Sequence, residues 1–142
     1  MLSIEIDFYF SEINKKTMSA GISHNNCRNI VSDKSGKYTY KSDLQLPTTL
    51  SIEIFGKNMN HDTVVDENGK IIADKYVAIK NIILDGIYLP LPVLQKLLKF
   101  YSDDGKQSNH DYIGFNGKCT LDFAKSNVFL QLADFERQIS KE

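Results

Sequence analysis

The sequence has 142 residues, of which 42% are hydrophobic and 11% aromatic, and its formal net charge is −1. This length and composition exclude a disordered chain and are typical of one globular domain with a single core, here residues 1–142. The 17 basic and 18 acidic residues are spread along the chain without a basic patch. We therefore expect neither nucleic acid nor an anionic membrane surface as a partner.

The N-terminal segment alternates between apolar and polar side chains, which is the pattern of a half-buried β-strand. The apolar face carries Leu2, Ile4, Ile6, Phe8 and Phe10, and the polar face carries Ser3, Glu5, Asp7 and Tyr9. The segment lacks the basic start and the continuous apolar stretch of a secretory signal, and no stretch of the chain reaches the roughly 20 apolar residues of a membrane span. We expect no signal peptide, and a location in the cytoplasm or in a larger assembly such as a virion.

Three further segments are predicted to be strands. Residues 50–55 and residues 118–123 repeat the alternation of apolar and polar side chains. Residues 76–87 form a β-branched run whose phase changes near Lys80 and Asn81, which indicates a bulge or a change of pairing partner. Because turns rich in Gly and Asn separate many short strands, the pattern predicts a mainly all-β fold, an antiparallel β-sandwich or jelly roll.

One short inserted helix is predicted to interrupt the strands. Pro92 stands where a first-turn proline belongs. The apolar residues at helical spacing around it are Leu91, Leu94, Leu97, Leu98 and Tyr101. We interpret this stripe as part of the core or as a cap on the sandwich. The C-terminal segment 126–142 is ambiguous, since its first part alternates like a strand and its second part fits a short helix.

The sequence lacks the signatures of common enzymes. It contains no glycine-rich phosphate loop, no nucleophile elbow and no HExxH zinc motif. Cys27 and Cys119 lie far apart and form no CxxC pair, so we expect two unpaired thiols, with Cys119 on the apolar face of a strand. A noncatalytic protein is therefore favoured.

Residues 66–69 contain a fragment of a calcium loop. Asp66, Asn68 and Gly69 have the right residue types, but the remaining ligand positions and the closing Glu of an EF-hand are missing. Asn-Gly instead favours a tight hairpin turn. We interpret the segment as a turn, and no cofactor is predicted from these residues.

The triplet Asn-His-Asp occurs twice. Its chemistry-bearing residues are His61, Asp62, His110 and Asp111. Two His and two Asp could bind a transition metal or form an acid–base pair if the two loops met in space. Asn, His and Asp are also common in turns, so the favoured interpretation is that these are solvated loop residues.

Aromatic and amide residues occur together in the predicted loops. The candidate ligand-binding residues are Asn58, Asn60, Asp62, Tyr112, Phe115 and Asn116. Aromatic rings can stack on the apolar faces of sugars, while amides and carboxylates hydrogen-bond to sugar hydroxyls. For the two rings themselves, the favoured interpretation is that Tyr112 and Phe115 fill the end of the sandwich.

Four blocks of the sequence resemble small β-sandwich domains of the carbohydrate-binding-module type. The blocks are residues 50–57, 62–69, 79–86 and 114–123, about half of the chain. The resemblance implies a noncatalytic domain that holds a glycan on a sheet face or at a loop edge, and it implies calcium as the ion that such a domain would bind. The chain differs from many such domains in having no tryptophan.

These observations favour a noncatalytic binding domain, with carbohydrate as its ligand, that uses the loops around residues 56–69 and 102–117. Two alternatives stay open. One is a structural or assembly protein, such as a virion or fibre component, with a protein partner or a second copy of itself. The other is a metal-dependent enzyme that uses the two Asn-His-Asp triplets.

Overall fold

A computed structural model describes residues 1–13, 15–31, 35–57 and 63–123, which form fourteen strands and one helix. The strands are β1 (Leu2–Phe10), β2 (Glu12–Ile13), β3 (Lys16–Thr17), β4 (Ser19–His24), β5 (Cys27–Val31), β6 (Gly36–Leu44), β7 (Thr48–Phe55), β8 (Thr63–Val65), β9 (Ile71–Asp74), β10 (Val77–Leu84), β11 (Ile87–Tyr88), β12 (Phe100–Tyr101), β13 (Gln107–Ser108) and β14 (Gly117–Phe123). The helix α1 spans Leu91–Leu97. The ambiguous segment 126–142 lies outside the described residues.

Two antiparallel sheets contain most of these strands. The four-stranded sheet has the order β11-β10-β1-β6, and the six-stranded sheet has the order β13-β12-β14-β7-β4-β5. Two small ribbons, β2-β3 and β8-β9, lie outside them. The predicted antiparallel β-sandwich with one short helix is confirmed, and the four segments predicted to be strands correspond to β1, β7, β10 and β14.

The core lies between the inner faces of the two sheets. Successive side chains of a strand point to opposite faces, so the alternating apolar residues of β1 and β7 all point inward. Ile6 on β1 and Ile52 on β7 are completely buried in the same cluster, and Cys119 and Leu121 of β14 belong to it as well. Both cysteines are free, as predicted, and burial raises the pKa of the Cys119 thiol to about 11.

The predicted phase change in β10 is a β-bulge. Asp7 pairs with Asn81 and the next residue of β1, Phe8, pairs with Ile79, so Lys80 is an extra residue in the ladder. The bulge shifts the alternation by one position. Ile79 before it and Ile82 after it therefore both face the core, while Lys80 is exposed.

The helix contributes part of its predicted stripe to the core. Leu94 and Leu98 of the stripe are buried in the main cluster, as expected of a cap on the sandwich, and Val93, which was not part of the predicted stripe, is buried there too. Two members of the stripe were predicted wrongly, since Leu91 and Tyr101 are exposed. Leu91 is the first residue of α1, at its exposed end. Tyr101 does not follow helical spacing, because α1 ends at Leu97 and the chain continues into β12. In the described part of the chain, no helix has the length and apolar character needed to cross a membrane.

Candidate functional site

Three segments of the chain meet around the carboxylate of Asp74, at the end of β9. Asp74 Oδ1 accepts hydrogen bonds from Lys57 Nζ and from Thr63 Oγ1, the latter at 2.7 Å. Asp74 Oδ2 accepts a hydrogen bond from the Tyr112 hydroxyl. We call this cluster of Lys57, Thr63, Asp74 and Tyr112 the loop-edge cluster. Its bonds tie the chain after β7, the β8-β9 ribbon and the segment before β14 to one another.

Lys57 is the buried cation of the loop-edge cluster. Its side chain is only 1% exposed, and its Nζ also donates a hydrogen bond to the carbonyl oxygen of Lys75 at 2.6 Å. A buried charge is costly unless it is paired and hydrogen-bonded, and here both conditions hold. Burial pushes the pKa of Asp74 up, but hydrogen bonds from Lys57 and Tyr112 outweigh this effect and hold the pKa below its usual value. Asp74 is therefore an anion whose oxygens already have partners.

Tyr112 is exposed and yet held in place. Its ring stacks on the ring of Tyr76, with centroids 4.4 Å apart and an interplanar angle of 19°. The ring of Tyr76 in turn lies beside that of Tyr9, with a centroid distance of 6.0 Å. All three lie on the outer face of the four-stranded sheet, because the segment with Tyr112 pairs with β10 through Val77 and Ile113. We call Tyr9, Tyr76 and Tyr112 the tyrosine row. Tyr112 is 44% exposed, and one face of its ring is covered by Tyr76.

A glycine allows Tyr112 to approach Asp74. A Cβ at Gly114 would lie 2.9 Å from Tyr112 Cε1 and 3.3 Å from Asp74 Oδ2. The first distance is shorter than a carbon–carbon contact tolerates, so a side chain at this position would displace the tyrosine ring. Gly114 is thus part of what fixes the ring.

Three of the six predicted ligand-binding residues are described, and they lie together before β14. Tyr112 is exposed and Phe115 is half-buried, its ring 3.0 Å from the position that a Cβ at Gly117 would take. Asn116 is exposed, but its Oδ1 accepts a hydrogen bond from the backbone N–H of Lys57 at 2.9 Å. Asn116 therefore joins the two predicted binding loops. The other three residues, Asn58, Asn60 and Asp62, lie outside the described residues, so their approach to Tyr112 stays a prediction.

In the second Asn-His-Asp triplet, the prediction of solvated loop residues holds for Asn109 and is wrong for His110. Asp111 is exposed, but His110 is buried, and its Nδ1 donates a hydrogen bond to the carbonyl oxygen of Ile79 at 2.8 Å. The backbone carbonyl of His110 accepts a bond from the Ile79 N–H at 2.7 Å. His110 thus fastens its segment to β10. The first triplet, with His61 and Asp62, lies outside the described residues.

The described residues do not fit a metal site. They contain no group of three or more His, Cys, Asp and Glu side chains placed to hold a metal ion. Calcium takes six to eight oxygen ligands, whereas the Asp74 carboxylate already pairs with a lysine. Asp66 Oδ1 accepts the backbone N–H groups of Asn68 and Lys70, each at 2.9 Å, and this bonding confirms the predicted turn between β8 and β9.

A groove that the sequence analysis did not single out crosses the outer face of the four-stranded sheet. It has a volume of about 380 Å³ and is lined by side chains of β1, β6 and β10, among them Asp7, Tyr9, Lys37, Thr39, Lys80 and Asn81. One signal was available, because Asp7 and Tyr9 stand on the polar face of the first predicted strand. The groove residues on β6 and β10 could not be predicted from the same alternation, because alternation within one strand does not show which strands pair with it.

Comparison with known proteins identifies the class of fold. No family model matches the chain, and no curated protein matches it significantly. The fold is that of a β-sandwich similar to solved carbohydrate-binding modules, which confirms the resemblance seen in the sequence.

Two similar structures are both of the module vCBM60. Its complex with galactobiose has a TM-score of 0.53 at 11% identity, over 84% of this chain and 97% of that chain. Its selenomethionine form has a TM-score of 0.54 at 10% identity, over 86% of this chain and 91% of that chain, and is described in connection with two families of calcium-dependent carbohydrate-binding modules related by circular permutation. At this identity the likeness concerns the fold.

Proposed function

We propose that the protein is a noncatalytic carbohydrate-binding domain whose binding surface is formed by the loops around residues 56–69 and 102–117. The fold is shared with a module solved in complex with galactobiose. The observation that carries the proposal is Tyr112, an exposed ring fixed by Tyr76 on one face and by Asp74 at its hydroxyl. A ring that is already ordered loses little conformational entropy when a sugar stacks on it, so the arrangement favours binding.

Substitution of the ring tests this proposal. Binding of the wild-type protein to a glycan array, followed by calorimetry on the best oligosaccharide, gives the reference affinity. Tyr112→Ala should weaken that affinity about tenfold or more, because the loss of one stacked ring at about 1.4 kcal/mol has this effect. Tyr112→Phe keeps the ring and should retain most of the affinity. Tyr88→Ala, which removes an exposed ring from β11, should leave the affinity unchanged.

Two outcomes would count against the proposal. Equal binding by wild type and Tyr112→Ala would show that the ring takes no part. No glycan binding by the wild type, together with a lower stability of Tyr112→Ala, would show that Tyr112 only stabilises the loop edge. Each titration should be made with added calcium and with chelator, since the related modules are calcium-dependent.

A second candidate function is assembly into a larger structure. It is favoured by three large hydrophobic side chains, Ile87, Tyr88 and Leu91, which are all more than half exposed between β11 and the start of α1. Exposed apolar residues that lie together often mark a protein interface. Sedimentation equilibrium of the wild type and of Ile87→Ser tests this candidate. A monomer at all concentrations would remove the support for self-association, and a dimer that Ile87→Ser dissociates would favour it.

A further inference from the structure

The groove on the four-stranded sheet has a polar floor that is held by hydrogen bonds. Asp7 on β1 lies opposite Thr39 of β6 and opposite Asn81 of β10. Its Oδ1 accepts the Thr39 hydroxyl at 2.8 Å, and its Oδ2 accepts the Asn81 amide at 3.2 Å. The three side chains are thus fixed relative to one another, and the Asn81 amide retains a carbonyl oxygen and a second N–H for a ligand.

Two lysines flank this floor, and neither has an acidic partner in the part of the chain that the structure describes. Lys37 on β6 and Lys80 at the bulge of β10 are both exposed and both line the groove. Neither forms an ion pair within the described residues, whereas Lys41, further along β6, lies 3.7 Å from Glu5. Among the described residues that line it, the groove therefore has two cations against the single carboxylate of Asp7. Such a surface attracts anions.

The groove also has an aromatic wall that leads to the loop edge. Tyr9 lines it and contacts Tyr76, which in turn stacks on Tyr112. The tyrosine row therefore connects the groove with the surface proposed above to bind carbohydrate. Its volume, about 380 Å³, lies within the range of roughly 300–1,000 Å³ that is usual for ligand pockets.

We propose that this groove binds an acidic sugar unit, one that carries a carboxylate or a sulfate, in a glycan that also contacts Tyr112. The inference rests on the proposed carbohydrate-binding function and names the class of its ligand. Lys37 and Lys80 bind the anionic group, the floor of Thr39 and Asn81 bonds to sugar hydroxyls, and Tyr9 contacts an apolar face of the ring. A neutral glycan lacks the first of these interactions.

The test compares acidic oligosaccharides with matched neutral ones. The probes are uronate oligosaccharides, the same chains as methyl esters, sulfated oligosaccharides and their unsulfated counterparts. At low salt the wild type should bind an acidic probe about fivefold more tightly than its neutral match, since two exposed ion pairs contribute this much. The preference should disappear between about 0.01 M and about 1 M NaCl, where the Debye length falls from roughly 30 Å to roughly 3 Å. Comparison of the uronate probes with the sulfated probes shows whether the groove prefers a carboxylate or a sulfate.

Matched variants assign the preference to the groove. Lys37→Gln combined with Lys80→Gln should abolish it and leave the affinity for the neutral probe within about twofold, because exposed charges away from the ring contribute little to stacking. The control combines Lys41→Gln with Lys118→Gln, which changes the net charge equally outside the groove and should keep the preference.

The outcomes separate this inference from the proposed function. Neutral binding that depends on Tyr112, with no preference for acidic probes, would overturn the inference and leave the proposed function intact. A preference that both double variants reduce equally would also overturn it, since it would reflect net charge. No binding of any probe by the wild type would overturn both.

Discussion

On the outer face of the four-stranded sheet, three tyrosines are in contact and two lysines have no acidic partner among the described residues, beside polar side chains that bond to one another. The outer face of the six-stranded sheet carries bonded polar side chains without such a row of tyrosines among the described residues. On the latter face, the Thr49 hydroxyl donates to Asp122 at 2.8 Å and Arg28 lies 3.7 Å from Glu53. The Arg28 guanidinium also covers Gly21, where a Cβ would meet it at 3.1 Å.

The difference shows that alternation alone does not make a binding face. The outer faces of both sheets carry the polar side chains of their strands, while the inner faces of both sheets form the common core. On the six-stranded sheet a broad depression of about 610 Å³ exists, but the described residues that line it are mostly Ser, Thr and turn residues, with Arg28 and His24 and without a Tyr or Phe ring. The four-stranded sheet combines a groove with tyrosine rings and with two lysines that form no ion pair to any described residue. Of the two faces, it has the chemistry that a charged sugar requires.

The largest expected effect separates the inner face from an outer face on a single strand. Ile52→Ala, in the core side of β7, should lower the free energy of unfolding by about 2–5 kcal/mol, the range for truncated buried aliphatic residues. Ser51→Ala, on the outer side, should change it by less than about 0.5 kcal/mol. Urea denaturation measures both. A comparable loss for Ser51→Ala would show that this outer face also stabilises the fold.

A smaller effect is expected at the loop-edge cluster. Lys57→Met should lower the free energy of unfolding by about 2 kcal/mol, because it removes the charged donor from Asp74. The matched control Lys41→Met breaks only the exposed contact with Glu5 and should cost less than about 1 kcal/mol. Equal costs in urea denaturation would mean that the buried pair contributes no more than a surface pair.

The strands of the core could be predicted from the sequence because their signal is local. The alternation in β1, β7 and β14 and the phase change at Lys80 are properties of consecutive residues, and the structure confirms them. β4 and β5 gave no such signal. β4 contains Gly and Ser among few apolar residues, and four of the five residues of β5 are exposed at the sheet edge.

The site was only partly predictable because its contacts join distant segments. Tyr112 is exposed, as the carbohydrate interpretation requires and contrary to the favoured prediction that its ring fills the end of the sandwich, and its stacking on Tyr76 depends on the pairing of its segment with β10. The bond between Lys57 and Asp74 depends in the same way on how the β8-β9 ribbon meets the end of β7. The burial of His110 cannot be predicted from composition, because composition does not reveal that Ile79 supplies a buried hydrogen-bond acceptor.

The pH dependence of stability should isolate the charge of Asp74. The pKa of Asp74 is lower in the folded protein than the roughly 3.9 of an unfolded chain. The ionised carboxylate therefore stabilises the fold fully above the unfolded pKa, and this stabilisation is lost as the pH falls through the folded pKa. Wild type should therefore lose more stability than Asp74→Asn when the pH falls below about 4. Parallel profiles from urea denaturation at each pH would contradict this assignment.

The smallest expected effect compares one hydroxyl on each outer face. Tyr112→Phe removes a hydrogen bond to Asp74 and keeps the stacked ring, so it should lower the free energy of unfolding by about 1 kcal/mol. Thr49→Val removes the hydroxyl that bonds to Asp122 on the six-stranded sheet, where both residues are exposed and water replaces the lost partner, so the change should stay below about 0.5 kcal/mol. Both differences are small, and they require thermal and urea denaturation of the two variants side by side. Equal values would mean that the Tyr112 hydroxyl is no better held than an ordinary surface hydroxyl. The position of the ring, which makes it suited to stacking on a sugar, would then depend on its contact with Tyr76 and not on the bond to Asp74.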